Sequence, residues 1–147
     1  MRFLFRRPTA MACVTGGEEY PCLYGTVKFY AQDSAVLMAV DICGLPENDT
    51  GFFAMHIHEG DRCSGEDFAD TGSHYDPEKV PHPHHAGDLP PLISCGGRAY
   101  SVILTNRFCI NEILGRTLVI HGGADDFHTQ PAGNSGTKIA CGVISKM

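Results

Sequence analysis

Apolar and polar residues alternate along much of this chain, which is the pattern of half-buried β-strands. The alternation is clear in residues 26–31 and again in residues 36–42, and the polar residues 32–34 separate the two runs. Because the side chains of a strand point alternately to opposite faces, each run has one face for the core and one for solvent. The two runs predict an opening hairpin with a turn at residues 32–34.

Later segments repeat the strand pattern. We predict a third strand over residues 52–59, in which His56 and His58 share one face, opposite apolar residues that face the core. The same reasoning predicts further strands at residues 91–95, 99–104, 115–122 and 138–144.

Two long segments, residues 60–91 and 122–136, lack a regular period and are predicted to be loops. A loop of about thirty residues is unusual in a compact domain unless something organises it, and a bound metal is the natural organiser. We find no segment with a convincing helical stripe. Short strands, turns and two long loops indicate an all-β fold, an antiparallel sandwich or barrel.

The length of 147 residues predicts a single domain with a real core. The first residues are basic, and the segment up to Val14 is only weakly apolar. We therefore assign residues 1–14 to an N-terminal leader without fixed structure and residues 15–147 to the folded domain. Met11 is as good a candidate start site as Met1.

Charge and hydropathy narrow the class of protein. A formal charge of −6 with only 11 lysines and arginines argues against a nucleic-acid surface. No apolar run is long enough for a membrane span, and the basic N-terminus is too short and polar for a secretory signal. We therefore expect a cytoplasmic protein that binds neither nucleic acid nor membrane.

The chain has seven cysteines, an odd number. In a reducing cytosol we expect free thiols, several of them buried as small apolar side chains. This expectation applies to Cys13, Cys22, Cys43, Cys95 and Cys109.

Most of the histidines fall in short clusters that also contain a carboxylate. The clustered residues are His56, His58, His74, His82, His84, His85, Asp88 and His121. So many imidazoles exceed the needs of one mononuclear site and predict two metals held close together. Copper favours imidazole ligands, whereas zinc accepts a tetrahedral mixture of imidazole and carboxylate. His82, His85 and Asp88 supply such a mixture, and His74 lies between the two groups in sequence.

Five stretches together resemble the copper/zinc superoxide dismutase family across roughly residues 23–145. They are residues 56–59 (His-Ile-His-Glu), 72–77 (Gly-Ser-His-Tyr-Asp-Pro), 85–90 (His-Ala-Gly-Asp-Leu-Pro), 115–121 (Gly-Arg-Thr-Leu-Val-Ile-His) and 133–144 (from Gly-Asn-Ser-Gly-Thr-Lys). The resemblance implies an all-β, antiparallel Greek-key sandwich or barrel of immunoglobulin-like architecture with two long functional loops. It also implies dismutation of superoxide to dioxygen and hydrogen peroxide by a copper that cycles between Cu(II) and Cu(I), with a structural zinc.

The resemblance also implies roles for individual residues. Copper would be bound by His56, His58, His74 and His121. Zinc would be bound by His74, His82, His85 and Asp88, so that His74 bridges the two metals and also acts in catalysis. Asp125 would link a copper histidine to a zinc histidine, and Cys63 and Cys141 would form a disulfide. Superoxide is the implied substrate; a homodimer and a copper-delivery protein are the protein partners to consider, with the mode of assembly left open.

The sequence departs from the family pattern at several places, and three of these departures affect the site directly. Lys138 stands where the family usually has an arginine beside the copper; lysine keeps the charge and loses the planar fork of donors, so we expect an active enzyme of somewhat reduced efficiency. The loop between His82 and His85 is short, which leaves His84 as an alternative to His82 at the zinc. The segment 122–137 is also short, so electrostatic steering should be weaker. Within it we expect His128 to face solvent.

Two other functions are compatible with parts of the pattern. The first is a superoxide dismutase-like module that delivers or stores metal without turnover, which the loss of a copper ligand would favour. The second is a cupin-type metalloenzyme, a β-barrel that also uses a His-x-His pair. A cupin would hold one metal and would leave His82, His85 and Asp88 unexplained.

Overall fold

A computed structural model describes residues 7–147 and confirms the all-β, antiparallel fold. The strands are β1 (Ala10–Gly16), β2 (Tyr24–Ala31), β3 (Val36–Cys43), β4 (Phe52–Phe53), β5 (Met55–His58), β6 (Leu92–Ile93), β7 (Ala99–Thr105), β8 (Thr117–His121) and β9 (Lys138–Lys146). A single helical turn, α1 (Ile110–Ile113), precedes β8, and a 3₁₀ segment spans Glu66–Thr71. No helix in the described part of the chain is long and apolar enough to cross a membrane.

The strands form one large sheet and one small one. The order in the large sheet is β5-β8-β9-β1-β2-β3-β7, with every neighbouring pair antiparallel, and β4 pairs with β6 in the small sheet. Strands distant in sequence, such as β1 and β9, are therefore neighbours in space. The small sheet lies beside β7, so it helps to close the gap between the two ends of the large sheet.

The predicted opening hairpin is present as β2 and β3, whose register pairs Val27 with Val40 and Phe29 with Met38. All four of these side chains are fully buried. Alternate residues on the inner face of the large sheet thus form the core, as the period of two requires.

The chain changes sheet within the predicted third strand. Ala54 separates β4 from β5, and its N–H donates to Gly123 O (2.8 Å) while its carbonyl accepts from His121 N (2.9 Å). One continuous run of alternating residues therefore turns a corner between the two sheets. The corner brings β5, with His56 and His58, alongside β8.

The predicted leader was wrong at residues 10–14, which lie within β1 at the centre of the large sheet. Ala10, Ala12 and Val14 point inward and are at most 1% exposed. Residues 10–14 are all apolar, so no alternation marks the strand, and small core residues fit where β1 packs between β2 and β9. The proposed start site Met11 lies in this strand, paired with Lys28 and Ser145; residues 1–6 lie outside the described part.

The five cysteines outside the proposed disulfide are free, but the expectation that several are buried was wrong. Cys13, Cys22, Cys95 and Cys109 are exposed and Cys43 is half-buried. Cys13 occupies an outward position of β1, between the buried Ala12 and Val14. Its exposure therefore follows from the alternation of inward and outward positions along the strand, although a thiol is an apolar side chain.

Candidate metal centre

The metal-binding candidates come together because a loop runs back along strand β5. In isolated antiparallel bridges, His74 pairs with His58 and Asp88 pairs with His56. His121 arrives from the end of β8, the neighbour of β5 in the large sheet. Two strands and one loop therefore direct their side chains to one buried region.

The first cluster consists of four imidazoles and is fully buried. Its members are His56, His58, His74 and His121, and one ring nitrogen from each lies within 4.8 Å of the others. Two of these nitrogens, His58 Nε2 and His121 Nε2, are 3.3 Å apart. Two ring nitrogens that both direct a lone pair inward at this separation are suited to share a cation.

In His58 and His121, the ring nitrogen that points away from the cluster donates a hydrogen bond to a backbone carbonyl. His58 Nδ1 donates to Gly72 O (2.8 Å) and His121 Nδ1 donates to Gly136 O (3.2 Å). These bonds fix the tautomer and leave each Nε2 directed toward the cluster centre.

Burial keeps the imidazoles of His58 and His121 neutral. It lowers the pKa of His58 to about 2 and the pKa of His121 to about 3, against the opposing hydrogen bonds to backbone carbonyls. Neutral imidazole is the form that donates a lone pair to a metal.

The second cluster mixes imidazole with carboxylate. His74, His82, His85 and Asp88 each offer one atom within 4.8 Å of the others. Asp88 Oδ1 lies 2.8 Å from His74 Nδ1, and Asp88 Oδ2 lies 3.0 Å from His82 Nδ1 and 3.2 Å from His85 Nδ1. This donor set is one that tetrahedral zinc accepts.

Three buried nitrogens make no hydrogen bond in the described protein: His56 Nδ1, His74 Nε2 and His82 Nδ1. His82 Nδ1 lies 3.0 Å from Asp88 Oδ2, but His82 donates its proton from Nε2 to Asp125, so Nδ1 has none to give the carboxylate. Unpaired buried polar atoms are rare because they lose their hydration without compensation. The first two lie on ligands of the four-imidazole cluster and the third on a ligand of the mixed cluster. A metal ion in each cluster would satisfy all three, so the residues fit two metals.

Asp125 connects the two clusters through hydrogen bonds to one histidine of each. Its Oδ2 accepts from His56 Nε2 and its Oδ1 accepts from His82 Nε2, both at 2.8 Å. Although burial raises the pKa of Asp125, the hydrogen bonds to His56 and His82 outweigh that effect and hold the pKa well below the usual range. Asp125 is therefore a carboxylate that orients one ligand of each cluster. A Cβ at Gly133 would overlap Asp125 Oδ1, so only glycine lets the chain pass here.

A comparison with known protein families identifies the family of this chain. The sequence model described as copper/zinc superoxide dismutase matches residues 23–144. The chain belongs to this family.

Named relatives match most of the chain. Superoxide dismutase [Cu-Zn] 1 of Aquifex aeolicus is 36% identical over 135 residues, which is 82% of this chain and 79% of the relative. Superoxide dismutase [Cu-Zn] of Deinococcus radiodurans is 36% identical over 142 residues, 82% of this chain and 76% of the relative. The crystal structure of a double mutant of a SOD-like protein from Bacillus subtilis aligns with a TM-score of 0.79 at 28% identity, covering 90% and 95% of the two chains.

Family membership confirms the predicted enzyme class, a superoxide dismutase that uses copper and zinc, and the predicted fold. The disulfide expected of the family is also present: Cys63 and Cys141 are joined. It ties the loop after β5 to the middle of β9.

Lys138, at the start of β9, lies beside the four-imidazole cluster and is anchored by the loop that follows β5. Its Nζ donates to Thr71 Oγ1 (2.8 Å) and Gly72 O (3.1 Å). Gly72 O therefore accepts from both Lys138 and His58. Partial burial lowers the pKa of Lys138. A cleft of about 700 Å³ opens here, with His58, His121 and Lys138 in its wall.

The remaining histidines lie outside both clusters. His84 is exposed, whereas His82 is 3% exposed and His85 is 7% exposed. The side chain of His128 is 80% exposed and contacts Asp126, whose carboxylate also accepts from Thr129 N. Asp126 thus caps a turn in the loop.

Sequence reasoning missed two residues that hold the loop of the mixed cluster. Gln130 Oε1 accepts from His82 N (2.9 Å) and Gln130 Nε2 donates to His82 O (2.7 Å). Arg107 Nη1 donates to Pro83 O (2.7 Å) and His85 O (3.1 Å). Backbone contacts between distant segments leave no pattern in a single sequence, so nothing signalled either residue. The loop was expected to depend on metal for its organisation, yet these protein contacts also organise it.

Proposed function

We propose that the four-imidazole cluster of His56, His58, His74 and His121 binds copper. The mixed cluster of His74, His82, His85 and Asp88 binds zinc. Imidazole donors suit copper, and a mixed imidazole and carboxylate set suits tetrahedral zinc. The enzyme then converts two superoxide ions and two protons to dioxygen and hydrogen peroxide.

The sharing of His74 is the observation that carries this proposal. Its Nδ1 lies among the ligand atoms of the mixed cluster, 3.3 Å from His85 Nδ1. Its Nε2 is buried without a protein partner on the other side of the ring. A single imidazole that contributes to both clusters is expected of a two-metal site and not of a one-metal cupin.

Copper, when bound, supplies the one-electron chemistry that oxidises one superoxide and reduces the next. His74 Nε2 is placed to hold a proton between the two half-reactions and to deliver it to the second superoxide, while solvent supplies the other proton. Zinc would keep Nδ1 occupied, so the proton is carried by Nε2 alone.

Lys138 attracts and orients the anionic substrate. Its ammonium lines the same cleft as His58 and His121 and lies within 3.1 Å of Gly72 O, the acceptor that also holds His58. A fixed positive charge at this point favours entry of superoxide.

The test is metal analysis joined to a dismutase assay on protein reconstituted with copper and zinc. We expect about one copper and one zinc per chain from the two ligand sets, with cyanide-sensitive dismutase activity. Binding of a single iron or manganese would contradict the proposal. Full loading without turnover would favour the metal-delivery or storage module.

We also propose a cytoplasmic location, a homodimer and loading by a copper-delivery protein. Five free cysteines, four of them exposed, are compatible with a reducing compartment. Cell fractionation, sedimentation of the loaded protein and copper transfer from a donor protein test these three proposals separately.

A further inference from the structure

We propose that Thr71 is the positioning residue for Lys138: its buried hydroxyl fixes the ammonium at the rim of the copper cluster and leaves one N–H donor for the substrate anion. This inference rests on the substrate-binding role proposed for Lys138. Within the described chain, the Thr71 hydroxyl hydrogen-bonds to Phe68 and Lys138 and to no candidate metal ligand.

The hydroxyl of Thr71 has both of its hydrogen-bonding roles filled. Thr71 is 0% exposed, and its Oγ1 donates to Phe68 O at 2.8 Å. The lone pairs of Oγ1 then face Lys138 Nζ, which donates to it at 2.8 Å. Rotation of the hydroxyl would break one of these two bonds in a site that water does not reach, so Oγ1 is a fixed acceptor.

The ammonium of Lys138 has three donors and three oxygen neighbours. Thr71 Oγ1 lies at 2.8 Å, Gly72 O at 3.1 Å and Phe68 O at 3.5 Å. The contact with Phe68 is at the limit for a hydrogen bond, so it holds its donor weakly. Two donors anchor the ammonium, and the third can turn to an anion in the cleft.

A lysine needs such an anchor more than an arginine would. Its ammonium is a point charge on a flexible four-carbon stem, whereas the guanidinium fork is planar and preorganised. A side-chain hydroxyl added to the carbonyl of Gly72 restores a second point of attachment. The anchor is itself fixed, because the disulfide joins Cys63 in the loop of Thr71 to Cys141, three positions after Lys138 on β9.

The experiment is a double-mutant cycle between Thr71 and Lys138 in protein loaded with copper and zinc. The variants are Thr71→Val, Lys138→Ala and the pair, with Thr71→Ser as the conservative rescue. Thr117→Val is the matched control, because Thr117 is also fully buried and donates to a loop carbonyl, Gly60 O, at 3.1 Å. The readouts are the affinity for azide, followed by the copper absorption spectrum, the dismutation rate, and the thermal midpoint of unfolding.

We expect Thr71→Val to weaken azide binding and slow dismutation by about three- to tenfold, the effect of one typical hydrogen bond. Thr71→Ser and Thr117→Val should stay within about twofold of wild type, a difference smaller than that of one such bond. In the Lys138→Ala background, Thr71→Val should cause no further loss of azide affinity. If the valine variant does not fold, Thr71→Ala takes its place in the cycle.

Two results would overturn the role of Thr71. One is a wild-type azide affinity in Thr71→Val; the other is an undiminished loss in the Lys138→Ala background, which would show that Thr71 acts through the fold alone. An active enzyme in which Lys138→Ala leaves azide affinity unchanged would overturn the role of Lys138 and this inference with it. A fully loaded wild-type protein without dismutase activity would overturn the proposed function instead.

Discussion

At the scale of single residues, the site is defined by which nitrogen of each imidazole the protein already uses. His56 and His82 both donate their Nε2 to Asp125, so only Nδ1 remains for a metal. His58 and His121 donate Nδ1 to backbone carbonyls and keep Nε2. The hydrogen-bond acceptors therefore determine which nitrogen of each ring is available to a metal before any ion binds. A substitution that removes such an acceptor should change the metal affinity although every ligand is still present.

The same reasoning separates His82 from His84, the alternatives at the zinc. His82 is buried with Nδ1 3.0 Å from Asp88 Oδ2, whereas His84 is exposed. We expect His82→Ala to lower zinc affinity by at least about tenfold, because it removes a ligand and not only the outer partner of a ligand. His84→Ala should bind zinc like wild type. Zinc titration against a chromophoric competitor checks this, and equal losses in both variants would contradict the assignment.

The ligand types could be predicted from the sequence because they depend on chemistry that the residues carry with them. The spacing of the histidines and the position of Lys138 in the family motif can both be read from a single sequence. Thr71 and Gln130 could not be predicted, since each acts through a contact between segments 48 to 67 residues apart. Their roles depend on where the backbone places a carbonyl or an ammonium.

At the scale of elements, periodicity was a reliable guide only where the inner face is bulky. Strands β2 and β3 bury Phe29 and Met38 and were predicted with their turn. Strand β1 was missed because the buried residues Ala10 and Ala12 are small and the residues between them, Met11 and Cys13, are apolar too, so no alternation shows. The change of sheet at Ala54 could not be predicted for another reason. The alternation of apolar and polar residues continues through Ala54, and only the hydrogen-bonding partners of the backbone change.

The disulfide links two elements that the fold holds side by side. Cys63 lies in the loop after β5 and Cys141 in β9, 78 positions later. A cross-link that closes a loop of this length restricts the unfolded chain and should add about 4–5 kcal/mol to the free energy of unfolding. We expect Cys63→Ala/Cys141→Ala to lose that amount in denaturant titrations of metal-free protein, with Cys13→Ala as the exposed control. A loss below about 1 kcal/mol would contradict a loop-closure role.

At the scale of the whole molecule, this protein is acidic but its substrate, superoxide, is an anion. The net charge of −6 opposes the approach of superoxide, and the loop over residues 122–137 contains no lysine or arginine. The cleft beside the copper cluster has two basic residues in its wall, Lys79 and Lys138. Lys138 is anchored over the site, while Lys79 is exposed at the edge.

Electrostatic steering is already known for this family, and here we expect Lys79 to contribute to it. Removing one charge about 8 Å from the path of an anion changes their interaction by roughly 0.5 kcal/mol in water, or about twofold in rate. Lys79→Gln should therefore slow dismutation about twofold at low ionic strength, and the difference should vanish near 1 M salt, where the Debye length is about 3 Å. Lys28→Gln, an equal change of net charge on the exposed face of β2, is the control. If both variants slow the enzyme equally, the net charge and not the position of Lys79 controls the approach of substrate.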